Sequence, residues 1–100
     1  MKRSEALLFW LENQGKKSDQ YIHDALCLHN PEISREDMAK AELEFGQMVK
    51  FTCKRITELC LKKVGQEQAE QMVRDAYPWL TEKAFVRLWY YSQWVFDKGY

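Results

Sequence analysis

Glycine and proline are scarce in this chain, four and two in 100 residues, and they are scattered singly. That scarcity excludes flexible linkers and low-complexity segments, and no internal repeat is visible. Net charge is missing too, because 15 Lys and Arg balance 15 Asp and Glu. A protein that coats DNA carries a basic excess, so long-range attraction to phosphate is not the leading property here. With little self-repulsion, such a chain associates readily with itself or with others. No stretch approaches the ~20 apolar residues that span a bilayer. The opening MKRSEALLFWLENQ has a basic lead, but its apolar run over 6–11 is too short for a signal-peptide core, and Glu12 closes it. Three cysteines, an odd number without disulfide-scaffold spacing, suit a reducing cytoplasm.

Signatures of chemistry are absent as well. There is no C-x-x-C pair, no glycine-rich phosphate loop and no G-x-S-x-G elbow. His23 and Cys27 are four apart and Cys53 and Cys60 seven apart, which makes two ligand-like pairs. Structural zinc sites, by contrast, usually present cysteines two to four apart. Helical phase turns His23 and Cys27 toward the outward half of their helix. It puts Cys53 at the edge of a core stripe and Cys60 within it, where a free thiol behaves as a small hydrophobe. Nothing in the sequence sets a base beside any thiol. The carboxylates Glu36 and Asp37 have a simpler use at a helix start. No metal, cofactor or catalytic residue is expected, and a thiol- or metal-dependent small enzyme is the remotest alternative.

What is present is helical periodicity almost end to end, with no convincing alternating strand. Composition, 46% hydrophobic and 30% charged, is that of one globular domain over residues 1–100. The pattern predicts an all-α, single-domain bundle of about five helices. Ser4 is placed to cap a first helix that turns Leu7, Trp10 and Leu11 inward, with Gly15 past its end. Ser18 or Asp19 caps a second, with Ile22, Ala25, Leu26 and His29 on one face, and Asn30-Pro31 stops it. Ser34 caps a long central helix, about 35–63, and Gly65 supplies its stop. Its stripe runs through Met38, Ala41, Phe45, Met48, Val49, Thr52, Ile56, Leu59 and Cys60. A fourth helix from Gln66 turns Ala69, Met72, Val73 and Ala76 inward. Thr81 caps the aromatic-rich last helix, about 82–97.

Two features bear on function. The central helix, about 28 residues at 1.5 Å each, is roughly 40 Å long, against a radius of gyration near ~13 Å for a compact domain of this size. Either it breaks at Gly46 or its stripe projects and is covered by a second copy, so a homodimer is expected. The last helix contains RLWYYSQWVF, residues 87–96. With Phe85 at the centre of the inward face, steps of about 100° gather Leu88, Trp89, Ser92, Val95 and Phe96 inside. Arg87, Tyr90, Tyr91 and Trp94 are left outside, and these residue types dominate interface hot spots. Either this helix is buried all round, with Arg87 reaching solvent along its stem, or its outer side takes a second copy or another protein.

The preferred expectation is a non-catalytic protein that binds another protein or complex stoichiometrically through those four residues, as an adaptor or inhibitor. In size and character, though in no motif, that matches a phage- or plasmid-type inhibitor of a larger host complex, in the manner of anti-CRISPR proteins. The main competitor is a small regulator that touches nucleic acid through Lys50, Lys54, Arg55, Lys62 and Lys63. A helix-turn-helix made of the last two helices would put bulky aromatics where base-reading polar groups belong. A membrane-surface role fails, because the polar side of the last helix is too small and insufficiently basic.

Overall fold

The structure, a computed structural model, describes residues 1–99. Five helices follow in order: α1 (Arg3–Asn13), α2 (Asp19–His29), α3 (Arg35–Cys60), α4 (Gln66–Ala76) and α5 (Glu82–Asp97). No strand occurs among the described residues. Three helix starts are set by a hydroxyl that accepts an otherwise unpartnered backbone N–H. Ser18 accepts from Tyr21 at 3.1 Å, Ser34 from Asp37 at 3.1 Å and Thr81 from Ala84 at 3.2 Å. Asn30 ends α2 and is buried, with its amide donating to the Leu26 carbonyl at 2.7 Å.

Ser4 is not the cap of α1. It lies inside the helix, buried, and works across elements: its hydroxyl donates to the Trp79 carbonyl at 3.2 Å and accepts from the Thr81 N–H at 3.1 Å. The neighbouring Arg3 guanidinium sits 4.2 Å from the Trp79 ring centroid and pairs with Glu44. One turn of α1 therefore ties the α4–α5 connection to α3.

The central helix is unbroken. It runs 26 residues through Gly46, where the surroundings leave open space and no kink is needed to relieve crowding. At 1.5 Å per residue it is about 39 Å long, and the domain measures 44 × 27 × 20 Å. The domain is drawn out to the length of its helix. Both α2 and α4 lie against α3: His23 of α2 reaches Glu42, and Tyr77, just past α4, meets Phe51 with ring centroids 5.7 Å apart. From α1, Trp10 packs on Phe45 at 5.9 Å, and from α5 the Ser92 carbonyl accepts the Cys53 thiol at 3.4 Å. The stripe from Met38 to Ile56 is buried by the chain's own helices. A second copy is therefore not needed to cover it.

Some inward assignments shift. Cys53 is fully buried, whereas Cys60, the last residue of α3, is exposed; His29 and Ala76 also face solvent. The stop of α3 lies at Lys62, earlier than Gly65. Lys62 takes the left-handed conformation, φ 60°. Its N–H bonds the Leu59 carbonyl at 3.0 Å, and the Lys63 N–H bonds Glu58 at 2.9 Å, the paired closure of a Schellman end. Gly65 instead precedes α4 in extended backbone, φ −85°. No helix among the described residues is long and apolar enough to cross a membrane.

A left-handed backbone costs a side-chain-bearing residue about 1–2 kcal/mol. Lys62→Gly is thus expected to raise unfolding stability by about 0.5–1 kcal/mol, after the added entropy of the unfolded chain is offset. The gain should appear as a higher urea midpoint at unchanged slope.

Candidate functional site

The last helix is held by one side. Phe85 and Leu88 are buried, and so is Ser92, whose small side chain lets the α5 backbone approach Cys53 closely. Trp89, Val95 and Phe96 are half-buried beside them. The remaining side is left open by the described residues: Tyr90 is 69% and Trp94 55% exposed, and Arg87 is exposed with them. The alternative in which α5 is buried all round does not hold.

Tyr91 departs from the other three expected contact residues. It is half-buried, and its ring stacks on Trp94 with centroids 6.1 Å apart and planes 29° apart. Burial, and secondarily the charge Cys53 would carry, push its phenol up. Tyr91 thus supports Trp94 from beneath. Lys98 places its ammonium 5.4 Å from the Trp94 ring centroid. Shallow furrows run along both flanks of this ridge. One, about 260 Å³, lies between the end of α1 and α5 and includes Leu11, Lys16, Arg87, Tyr91 and Trp94. The other, about 220 Å³, lies between α4 and α5 and includes Glu70, Val86, Trp89 and Tyr90.

Charge around the ridge is unevenly used. Arg74 grips Glu82 with two bonds, 2.6 and 3.2 Å, while lying 3.9 Å from the Phe85 ring centroid. The Arg74 hydrogen bonds hold the Glu82 carboxyl below its usual range. Neither Arg87 nor Lys83 makes a salt bridge among the described residues.

The basic strip proposed for nucleic acid is less than the sequence promised. Arg55 is 8% exposed, with Nε 2.7 Å from Glu58 Oε1 and its guanidinium 4.6 Å from the Phe51 ring centroid. It is a packing residue. Lys50, Lys54, Lys62 and Lys63 are exposed, the last two beyond the end of α3.

His23 and Cys27 also stand elsewhere than expected. They are half-buried and near α3: His23 Nδ1 is 2.6 Å from Glu42 Oε2, and Cys27 Sγ is 3.6 Å from His23 Nε2. The pair's four-residue spacing was visible in the sequence, but Glu42 comes from another helix, so its part in the row was not. Among the described residues no group of three or more His, Cys, Asp or Glu is arranged to hold a metal ion. No protein-family model, curated protein or solved structure matches the chain.

A pH dependence follows from two half-buried phenols and one buried thiol. Burial raises Tyr77, with the Glu44 charge adding to it, and burial raises Tyr91 and the Cys53 thiol. The folded state then keeps protons that the unfolded state releases, so the stability they confer is complete below the unfolded values. It is lost as pH rises from the thiol range, ~8.5, through the phenol range, ~10, and past the folded values. Tyr91→Phe should flatten the alkaline limb of a stability-against-pH curve, and an unchanged limb would contradict this assignment.

Proposed function

We propose that the protein acts without catalysis, by stoichiometric binding to another protein, and that the outer face of α5 makes the contact. The observation that carries this is the exposure of Tyr90 and Trp94, 69% and 55%, on a helix whose opposite side is closely packed. Large rings one turn apart, with Arg87 beside them, form a hot-spot constellation in which each side chain offers wide apolar area and a polar handle. Arg87 and Lys83, without salt bridges here, favour a partner whose apolar patch is rimmed by carboxylates.

A small, neutral chain with this face suits an inhibitor or adaptor of a larger complex, of the kind phages and plasmids encode. A second copy could dock on the same face, and the homodimer expected from helix length now rests on α5 alone. Three free cysteines support a cytoplasmic location. The nucleic-acid alternative keeps its exposed lysines but has lost Arg55 to the interior.

The test is affinity capture from cells, followed by titration of each purified partner. Tyr90→Ala with Trp94→Ala should change stability by no more than about 0.5 kcal/mol, as exposed sites do, yet weaken binding by at least about 2 kcal/mol. Binding should vary little with salt. A partner that survives the double substitution, but is lost on raising salt or on replacing Lys50, Lys54, Lys62 and Lys63, would overturn the proposal. A molar mass that doubles with concentration, and only with Tyr90 and Trp94 intact, would assign the face to a second copy.

A further inference from the structure

The row formed by Cys27, His23 and Glu42 shares no residue with the α5 face, and it has the order of a nucleophile, a base and an orienting carboxylate. His23 and Cys27 are successive turns of α2, so their side chains meet. An ionised carboxylate only accepts hydrogen bonds, so Glu42 at 2.6 Å from Nδ1 keeps the imidazole proton on that nitrogen. The Nε2 lone pair is thereby left facing the Cys27 sulfur at 3.6 Å. The imidazole and carboxylate side chains are only 19% and 16% exposed, so the charge pair formed when His23 takes a proton is partly shielded from water.

The other two thiols differ. Cys53 is buried and spends its proton on the Ser92 carbonyl. Cys60 is exposed, and among the described residues no hydrogen bond joins it to a base. Against His23 and Glu42 lies an open hollow of about 580 Å³ that mixes apolar Trp10, Ile22, Ala39 and Leu43 with polar Gln14, Asp19 and Gln20; it meets the row at His23 and Glu42, and Cys27 itself is not in its lining. Leu43, 70% exposed there, is apolar surface with no cover from the chain.

We propose that Cys27 is a base-assisted nucleophile that accepts an acyl group from a thioester, the hollow receiving an apolar acyl chain. His23 Nε2 takes the thiol proton as sulfur forms a bond to the thioester carbonyl carbon. The bond from that carbon to the leaving sulfur breaks with its electron pair, and the proton on Nε2 passes to the departing thiolate. One thiol is consumed and one released, with no change of oxidation state. The relay suits this step because the imidazole both receives and returns the proton.

The experiment exposes the whole protein to the acetyl and octanoyl thioesters of N-acetylcysteamine and follows each cysteine by mass spectrometry. Cys27 should acylate at least about tenfold faster than the more exposed Cys60, a margin set below the ~100-fold or more that a positioned base contributes because Cys60 is the more accessible thiol, and faster with octanoyl than with acetyl. His23→Gln should bring Cys27 down to the Cys60 rate or below it. Glu42→Gln should fall between, because it can still orient the ring but not balance its charge. Cys53 remaining unlabelled reports an intact fold in each variant; if His23→Gln labels Cys53, Glu42→Gln decides. Equal wild-type rates at Cys27 and Cys60 would overturn the proposal, as would a Cys27 rate indifferent to the deciding substitution. Equal acetyl and octanoyl rates would overturn the role of the hollow.

Discussion

Phe45 stands on α3 shielded from solvent, with the Trp10 ring from α1 at 5.9 Å, and apolar residues continue along the helix on both sides of it. A helix of ~39 Å carries more apolar surface than one neighbour can cover, and leaving it in water forfeits about 25 cal/mol for each Å². The chain answers with four further helices laid against that rod. The short links around α3, through Asn30 and through Lys62, bring α2 and α4 back toward it, and α1 and α5 complete the cover. The length of the domain, its single core and the placement of its surfaces all depend on this one covered stripe.

Because α5 spends one side on that task, its other side is defined by subtraction. Phe85, Leu88 and Ser92 point inward, Trp89 and Tyr91 pack at the margin of the core, and Tyr90 and Trp94 are left largely exposed. Several rings elsewhere are fastened by a cation over the face: Arg3 on Trp79, Arg55 on Phe51 and Arg74 on Phe85. Each of these guanidiniums also has a carboxylate partner, Glu44, Glu58 or Glu82. Such sandwiches satisfy charge while covering ring area. Among the described residues, Arg87 has no carboxylate partner of this sort, and Tyr90 has no ring or cation set against it. The outer face of α5 is thus the part of the aromatic surface least satisfied from within, which is the physical basis for giving it a partner.

Local signals carried far in the sequence. Ser18, Ser34 and Thr81 cap the helices they precede, the inward sets of α1, α3 and α5 largely hold, and Arg87, Tyr90 and Trp94 face out as helical phase places them. What periodicity could not convey was contact between elements. Ser4 resembles a cap because hydroxyls near helix starts usually are; its bonds to Trp79 and Thr81 span most of the chain. Arg55 falls on a lysine-rich side, but Glu58 one turn on and the Phe51 ring draw it inward. Tyr91 sits at the margin of its face, where a few tens of degrees decide between solvent and core. Lys62 replaces the expected glycine at a left-handed stop, because two closing hydrogen bonds outweigh a modest backbone cost. Glu42 joins His23 and Cys27 only through packing of α2 on α3.

The continuity of α3 through Gly46 is the claim on which the account rests, and native-state amide hydrogen exchange tests it directly. If one covered rod organises the domain, amides from Phe45 through Cys53 exchange together at the free energy of global unfolding. Early exchange confined to Gly46 and its neighbours, with both halves of the helix still protected, would show two segments joined at a hinge and would contradict it.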